Sequence, residues 1–335
     1  MNLLSTGMNS NGSKRVGFAQ PARQRWYIML GGIAILVLLI LLVPNFSSSY
    51  NLFNVITQAA IYGTMSMGLA FVLITGGIDI SLPYVMTMGS VVGVTYMART
   101  GNAFVGCLIV IGVCLVAGLI NGVSVSVFRM PPMIVTLAMM NIAEGFAKWY
   151  TNYESVRGIP KSLSTFFKYK FFDIVPMYIV VFLFIVVILS FVLSKTVFGR
   201  WLYHVGINKN AAIVSGIPVR RAIICAYLIS ALMAGIAGIM LSVQSNSATA
   251  RMSSPSMLLE VLASAIIGGA SDRGGRGTII GVAIGAIVIS ATSISLNLLG
   301  IKPYPALVIK GAIIIVATIL DYRLNRGFLL GGKAK

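Results

Sequence analysis

The sequence predicts an all-α, polytopic membrane protein of about ten transmembrane helices, some short or broken, with both termini cytoplasmic. Three observations carry this. Of 335 residues, 58% are hydrophobic and only 10% charged, with a mean hydropathy of +0.94, which departs from the composition of a soluble domain. Apolar runs recur from Trp26 to the C-terminus, and about 20 such residues cross the hydrocarbon as a helix. The basic residues fall mostly between these runs. The formal charge of +18 is therefore a topology signal rather than a nucleic-acid footprint, and no nucleic-acid-binding motif accompanies it.

A polar leader, residues 1–25, carries Lys14, Arg15, Arg23 and Arg25. The first apolar run, Trp26 to Val43, reads as a retained helix and not a cleaved signal peptide, because no small-residue cleavage site follows Val43. Runs two to six are Phe53 to Thr75, Leu82 to Ala98, Phe104 to Phe128, Met133 to Thr151, and Pro176 to Leu193. Runs seven to ten are Arg221 to Val243, Met257 to Ala270, Thr278 to Leu299, and Tyr304 to Leu320. The membrane domain is thus 26–321, followed by a cytoplasmic tail at 322–335. With the leader inside, 16 of the 25 Lys and Arg residues fall on the cytoplasmic side, as the inside-positive bias requires. Against the trend, the outer loop Tyr153 to Asp173 holds four basic residues.

The eighth run is too short. At ~1.5 Å per residue it reaches about 21 Å of a ~30 Å core. It lies between Ser-Ser-Pro-Ser and a glycine-rich stretch, Gly268 to Gly277. Irregular backbone at membrane depth survives where protein or a water-filled path covers it, so a broken helix here points to a translocation pathway; a short helix in thinned lipid is the alternative.

Gly89 and Gly93, Gly118 and Gly122, and Gly277, Gly281 and Gly285 stand four apart, the spacing that lets membrane helices approach closely. The run Thr75 to Ser81 breaks one helix and starts the next: two glycines free the backbone, Asp79 or Ser81 can cap, and Pro83 suits a first turn. Glu144 and Lys148 stand four apart in the orientation that favours an ion pair within a helix. Glu260 and Lys310 sit in the eighth and tenth runs, where a buried charge needs a partner or water; they are candidates to pair across helices.

Cys107, Cys114 and Cys225 occupy apolar positions and read as buried structural thiols, not a disulfide framework. His204 is the only histidine, so neither a metal site nor a cofactor is expected. Gly327, Gly332 and Lys333 imitate the start of a P-loop, but Ala334 replaces the hydroxyl residue and the strand and helix that aim such a loop are absent from the pattern. No nucleophile, base and orienter combine. The chain is expected to be neither an enzyme nor an ATP-binding protein by itself.

Segments Leu73 to Leu82, Gly118 to Arg129, Pro132 to Ala138, Phe198 to Pro218, Ile267 to Gly277 and Leu296 to Tyr304, in this order, resemble the permease subunits of ribose-type ABC sugar importers, a group that includes ribose, xylose, galactose and autoinducer-2 permeases. The likeness covers roughly Asn51 to Asp321. It implies a dimer of this chain or of two related ones, seated on cytoplasmic ABC ATPase subunits and supplied by a periplasmic or lipid-anchored sugar-binding protein. It also implies that the loop at 195–220 docks the ATPase through Gly199, Arg200, Gly206, Asn208, Ala211, Ala212, Ser215, Gly216 and Ile217. The residues agree: small side chains at Ala211, Ala212 and Gly216 permit close approach, ringed by Arg200, Lys209, Arg220 and Arg221. An ordinary solvated loop with inside-positive charge is the plainer reading.

The chain departs from the family at Leu258-Leu259-Glu260, where an acidic-Leu-Asp run is usual, and in the outer loop Ser245 to Ser256. The substrate is accordingly expected to be a monosaccharide or similar polyol without further definition. Asn121, Asn141, Glu144, Glu260 and Asn297 are candidate pathway residues, able to hydrogen-bond sugar hydroxyls or water. A secondary transporter coupled to H⁺ or Na⁺ through Glu144 and Glu260 is the alternative, distinguished by transport without ATP. A membrane enzyme ranks behind both.

Overall fold

The computed structural model describes residues 37–171, 175–302, 304–312 and 315. The predicted leader and tail, most of the first predicted span and the end of the tenth lie outside the described residues. The helices are α1 (Ser49–Ile74), α2 (Leu82–Thr100), α3 (Ala103–Ser126), α4 (Pro132–Thr151) and α5 (Lys161–Lys168). After a two-stranded hairpin, β1 (Lys170–Phe171) with β2 (Val175–Pro176), follow α6 (Met177–Lys195), α7 (Val197–Ile207), α8 (Lys209–Val214), α9 (Val219–Ser245), α10 (Pro255–Ile267) and α11 (Ile279–Leu298). Residues 37–42 and 304–312 are also helical.

Among the described residues, five helices are long and apolar enough to cross a membrane: α1, α3, α6, α9 and α11. The segments predicted as the third and fifth spans are the helices α2 and α4, 19 and 20 residues long, and neither is among those five. The more polar sequence of α2 suits its place largely inside the protein, packed on α3, α4 and α9, where lipid does not select its side chains. At the eighth predicted span α10 has only 13 residues, about 20 Å of helix.

At the centre α1 is buried along almost its whole length from Ala59 to Ile74, surrounded by α6, α9, α10 and α11. Next to it α9 packs on α3, α1 and α2. Small residues set these contacts. A Cβ added at Gly89 or Gly93 would run into Val110 of α3; one at Gly118 would meet Ala231 and Tyr227, and one at Gly122 would meet Ile224, all on α9. Gly281 and Gly285 lie equally close to Gly268 and Ser264 at the end of α10. The four-residue spacing thus marks helix contacts. Gly277 is the exception: it precedes α11, at φ +153°, and fits against Ile74 and Ala270. Outward, α3 shows Leu108, Val116, Leu119 and Ile120, and α6 shows Leu183, Phe184, Val187 and Phe191. These apolar faces suit lipid.

Connecting segments gather at two ends. At one, backbone hydrogen bonds join Val156 to Ala248 in both directions, and Gly158 fits against Ala98. At the other, the loop at 271–277 meets the last turns of α1 and α7. The stretch from Phe198, expected as a loop, is two helices joined by an elbow at Asn208. Thr196 accepts the N–H of Gly199 and Asn208 accepts that of Ala211, capping α7 and α8 in turn. The thiols differ from expectation as well: Cys114 is buried and Cys107 half-buried, but Cys225 is exposed on α9.

Candidate functional site

Four groups of polar residues interrupt the apolar bundle. The first sits in the break between α1 and α2. Gly76 at φ +82° turns the chain. Asp79, buried, accepts the Ser81 N–H at 3.0 Å and the Ser81 hydroxyl at 2.6 Å through Oδ1, and the Ser230 hydroxyl at 3.4 Å through Oδ2. Asn121 donates its amide to Ser81 Oγ at 3.0 Å. Thr136 donates to the Ile78 carbonyl at 3.2 Å. The break therefore ties α2, α3, α4 and α9 together. No ion pair to Asp79 occurs among the described residues. The capping expectation is corrected here: Ser81 precedes α2 without a side-chain cap, and Asp79 serves the break itself.

The second group joins α10, α11 and the helix at 304–312. Glu260 Oε1 accepts from Lys310 Nζ and, at 3.2 Å, from Ser293 Oγ. Glu260 Oε2 is buried without a partner. A carboxylate this far from water needs its cation, so the pair expected across helices is present.

The third group is on α4. Glu144 and Lys148 form an ion pair at 2.6 Å, each about a third exposed, and the ammonium lies 5.9 Å from the Tyr153 ring. Asn141, one turn before Glu144, is exposed, as are Ile134, Leu137 and Ile142. Polar groups therefore share this exposed face of α4 with apolar ones.

The fourth group is the α7–α8 elbow. Arg200, Asn208, Ala211, Ser215 and Gly216 are exposed, and Ile217 is half-buried. Gly199, Gly206 and Ala212 face inward. Gly199 lies against the Leu193 carbonyl, and Gly206 against the Ile74 carbonyl and the Gly275 nitrogen. Their smallness serves the elbow's own seating. Gly216, at φ +75°, reverses the chain after α8 with open space around it. Tyr203 donates its hydroxyl to the Gly277 carbonyl at 2.7 Å, and the Gly275 N–H binds the Ile74 carbonyl at 2.8 Å. The elbow is thus fastened to α1 and to the loop before α11.

Of the five candidate pathway residues, Asn141 and Glu144 share one face of α4. Asn121 and Glu260 belong to two separate buried groups, and Asn297 is exposed at the end of α11. Ser230 and the link from Tyr203 to Gly277 escape sequence reasoning, since their partners lie 151 and 74 residues away. Among the described residues no cluster of His, Cys, Asp and Glu could hold a metal ion.

Long apolar helices around buried polar breaks, with a fastened helical elbow at one end, are the architecture of a multi-pass membrane protein. Over residues 51–318 the chain matches the family described as branched-chain amino acid transport system / permease component, and it belongs to that family. It is similar to the ribose import permease protein of Bacillus subtilis, 33% identical over 321 residues, which span 92% of this chain and 95% of the relative. The ribose import permease protein of Escherichia coli is 31% identical over 300 residues, 86% of this chain and 92% of the relative. The galactose/methyl galactoside import permease protein of Escherichia coli is 31% identical over 318 residues, 88% and 94%. No solved structure matches the chain.

Proposed function

We propose that the chain is the transmembrane subunit of an ABC importer that carries a monosaccharide, ribose-like in size and polarity, into the cytoplasm. ATP is bound and hydrolysed in separate ATPase subunits. A periplasmic or lipid-anchored sugar-binding protein delivers substrate at the end opposite the elbow, and a second copy or paralogue of the chain completes a dimer in the lipid. Sugar transport is supported by the three relatives, two ribose import permeases and a galactose/methyl galactoside import permease, which align with this chain over most of its length.

The observation that carries the coupling is the elbow: an exposed surface of Arg200, Asn208, Ala211, Ser215 and Gly216 whose back is hydrogen-bonded into the helix core. A force applied to such a surface reaches α1 and α11 directly. Gly199, Gly206 and Ala212 act in docking by fixing the elbow, and Ile217 forms its edge. In the pathway, Asn141 and Glu144 on α4 present hydrogen-bonding groups to sugar hydroxyls. Asn121, Glu260 and Asn297 set the helices around it.

Ala211→Trp tests the docking. It lies exposed on α8, so insertion and thermal stability should be kept while ATP-driven sugar uptake falls at least tenfold in proteoliposomes holding the ATPase and binding protein. Normal uptake by the variant, or uptake by the chain alone under an ion gradient, would sink the reading.

A further inference from the structure

The end of the bundle that carries the elbow also holds a cavity of about 830 Å³, walled on one side by Ile213 and Ile217 of the elbow itself. Its wall is basic: Arg129 comes from the α3–α4 connection, Lys209 from α8, and Arg220 and Arg221 from the start of α9. No acidic residue lines it, and none of the four cations is in an ion pair among the described residues. Exposed cations from three separate segments around one hollow give it a positive potential that attracts an anion.

Two further features call for an anion there. The first turn of α9, a helix of 27 residues, has no acidic residue and no side-chain cap at Pro218. A helix start favours negative charge and offers free N–H groups, yet the side chains placed here are Arg220 and Arg221. Independently, Ser126, 4% exposed, lines the same cavity with its hydroxyl lacking any hydrogen-bond partner. A phosphate oxygen satisfies such a donor.

The cavity's position selects the kind of phosphate. It lies where α3 ends and α4 and α9 begin, and its neighbours Val127, Phe128, Met130 and Met133 are exposed and apolar. An apolar rim beside a cationic hollow at helix ends fits a molecule with a phosphate head and acyl tails. Basic pockets between membrane helices recognise anionic headgroups in this way. The geometry points to this cavity as a binding site for an anionic phospholipid, its phosphate held by Arg129, Lys209, Arg220 and Arg221 and by the Ser126 hydroxyl.

The test is retention of phosphatidylglycerol by the purified full chain, counted by native mass spectrometry after extraction from nanodiscs of equal phosphatidylglycerol and phosphatidylcholine. The parent should keep phosphatidylglycerol selectively. Arg220→Gln with Arg221→Gln, both exposed, should lower that retention at least fivefold, and Lys209→Gln about threefold. Lys195→Gln, a cation at the same end but outside the cavity, should leave retention unchanged. Gel filtration and melting temperature report that each variant is folded. Equal retention by parent and double variant would overturn the site, as would an equal loss with Lys195→Gln. Inorganic phosphate that stabilises the parent when phosphatidylglycerol does not would overturn the lipid as ligand, and loss of all bound phosphatidylglycerol on adding the ATPase would assign the cavity to the protein partner.

Discussion

Gly275 donates its backbone N–H to the carbonyl oxygen of Ile74 at 2.8 Å, joining the loop before α11 to the last turn of α1. Gly206 of α7 rests on both atoms of this bond, so closely that even one added carbon would collide with them. Three segments distant in sequence therefore meet through peptide groups at the elbow.

Gly206→Ala should consequently displace the elbow. Added bulk at a filled contact costs about 1–3 kcal/mol, and here the obstacle is backbone that has no rotamer to change. Gly112→Ala in α3, where nothing lies within 4 Å, is the control, expected to be neutral or to stabilise by up to ~1 kcal/mol through helix propensity. Thermal melts of both in nanodiscs check the contrast, and uptake should fail in the first alone.

Lys310→Met leaves Glu260 buried and unpaired, a change that costs about 3–5 kcal/mol. Adding Glu260→Gln should restore most of this, because the surviving group no longer carries charge. A melt of the single and double variants tests the pair, and rescue is the expected result.

Glu144→Gln should behave differently. The ion pair with Lys148 is about a third exposed, so its loss should change stability by less than ~1 kcal/mol. A drop in sugar uptake at constant melting temperature is the expected signature of a pathway group. Unchanged uptake would remove Glu144 from that role.

Ser81 and Asn121 should couple. Ser81→Ala removes the hydroxyl that links Asp79 to Asn121 and strands buried groups at a cost of about 1–3 kcal/mol. In a double-mutant cycle with Asn121→Ala, the interaction energy should be about 0.5–3 kcal/mol. Additive melts would show that the two do not share a network.

Much of this architecture is legible from residue order. The glycines at 89, 93, 118, 122, 281 and 285 announce close helix contacts by spacing alone, and the shortness of α10 follows from counting its apolar residues. Glu260 and Lys310 stand out in the sequence as opposite charges in apolar runs and so as candidates to pair, but neither pattern nor spacing joins them, and the pairing itself is read from the fold. The elbow is harder to read, because its density of glycine, asparagine and basic residues looks like a loop; only the caps Thr196 and Asn208 betray its two helices. The site is less legible than the fold. Asn121 is recognisable as a buried polar group, but its place beside Asp79 depends on contacts over 40 residues, and that of Ser230 on contacts over 151. Local pattern holds no record of such pairings.

Cys225 stands exposed on α9, one turn beyond Arg221, while Cys114 is buried and Cys107 half-buried. The native chain therefore offers a single favoured attachment point for a membrane-permeant maleimide dye. A fluorophore placed there would lie beside both the basic cavity and the elbow, so turnover and lipid exchange could be followed optically without engineering the protein.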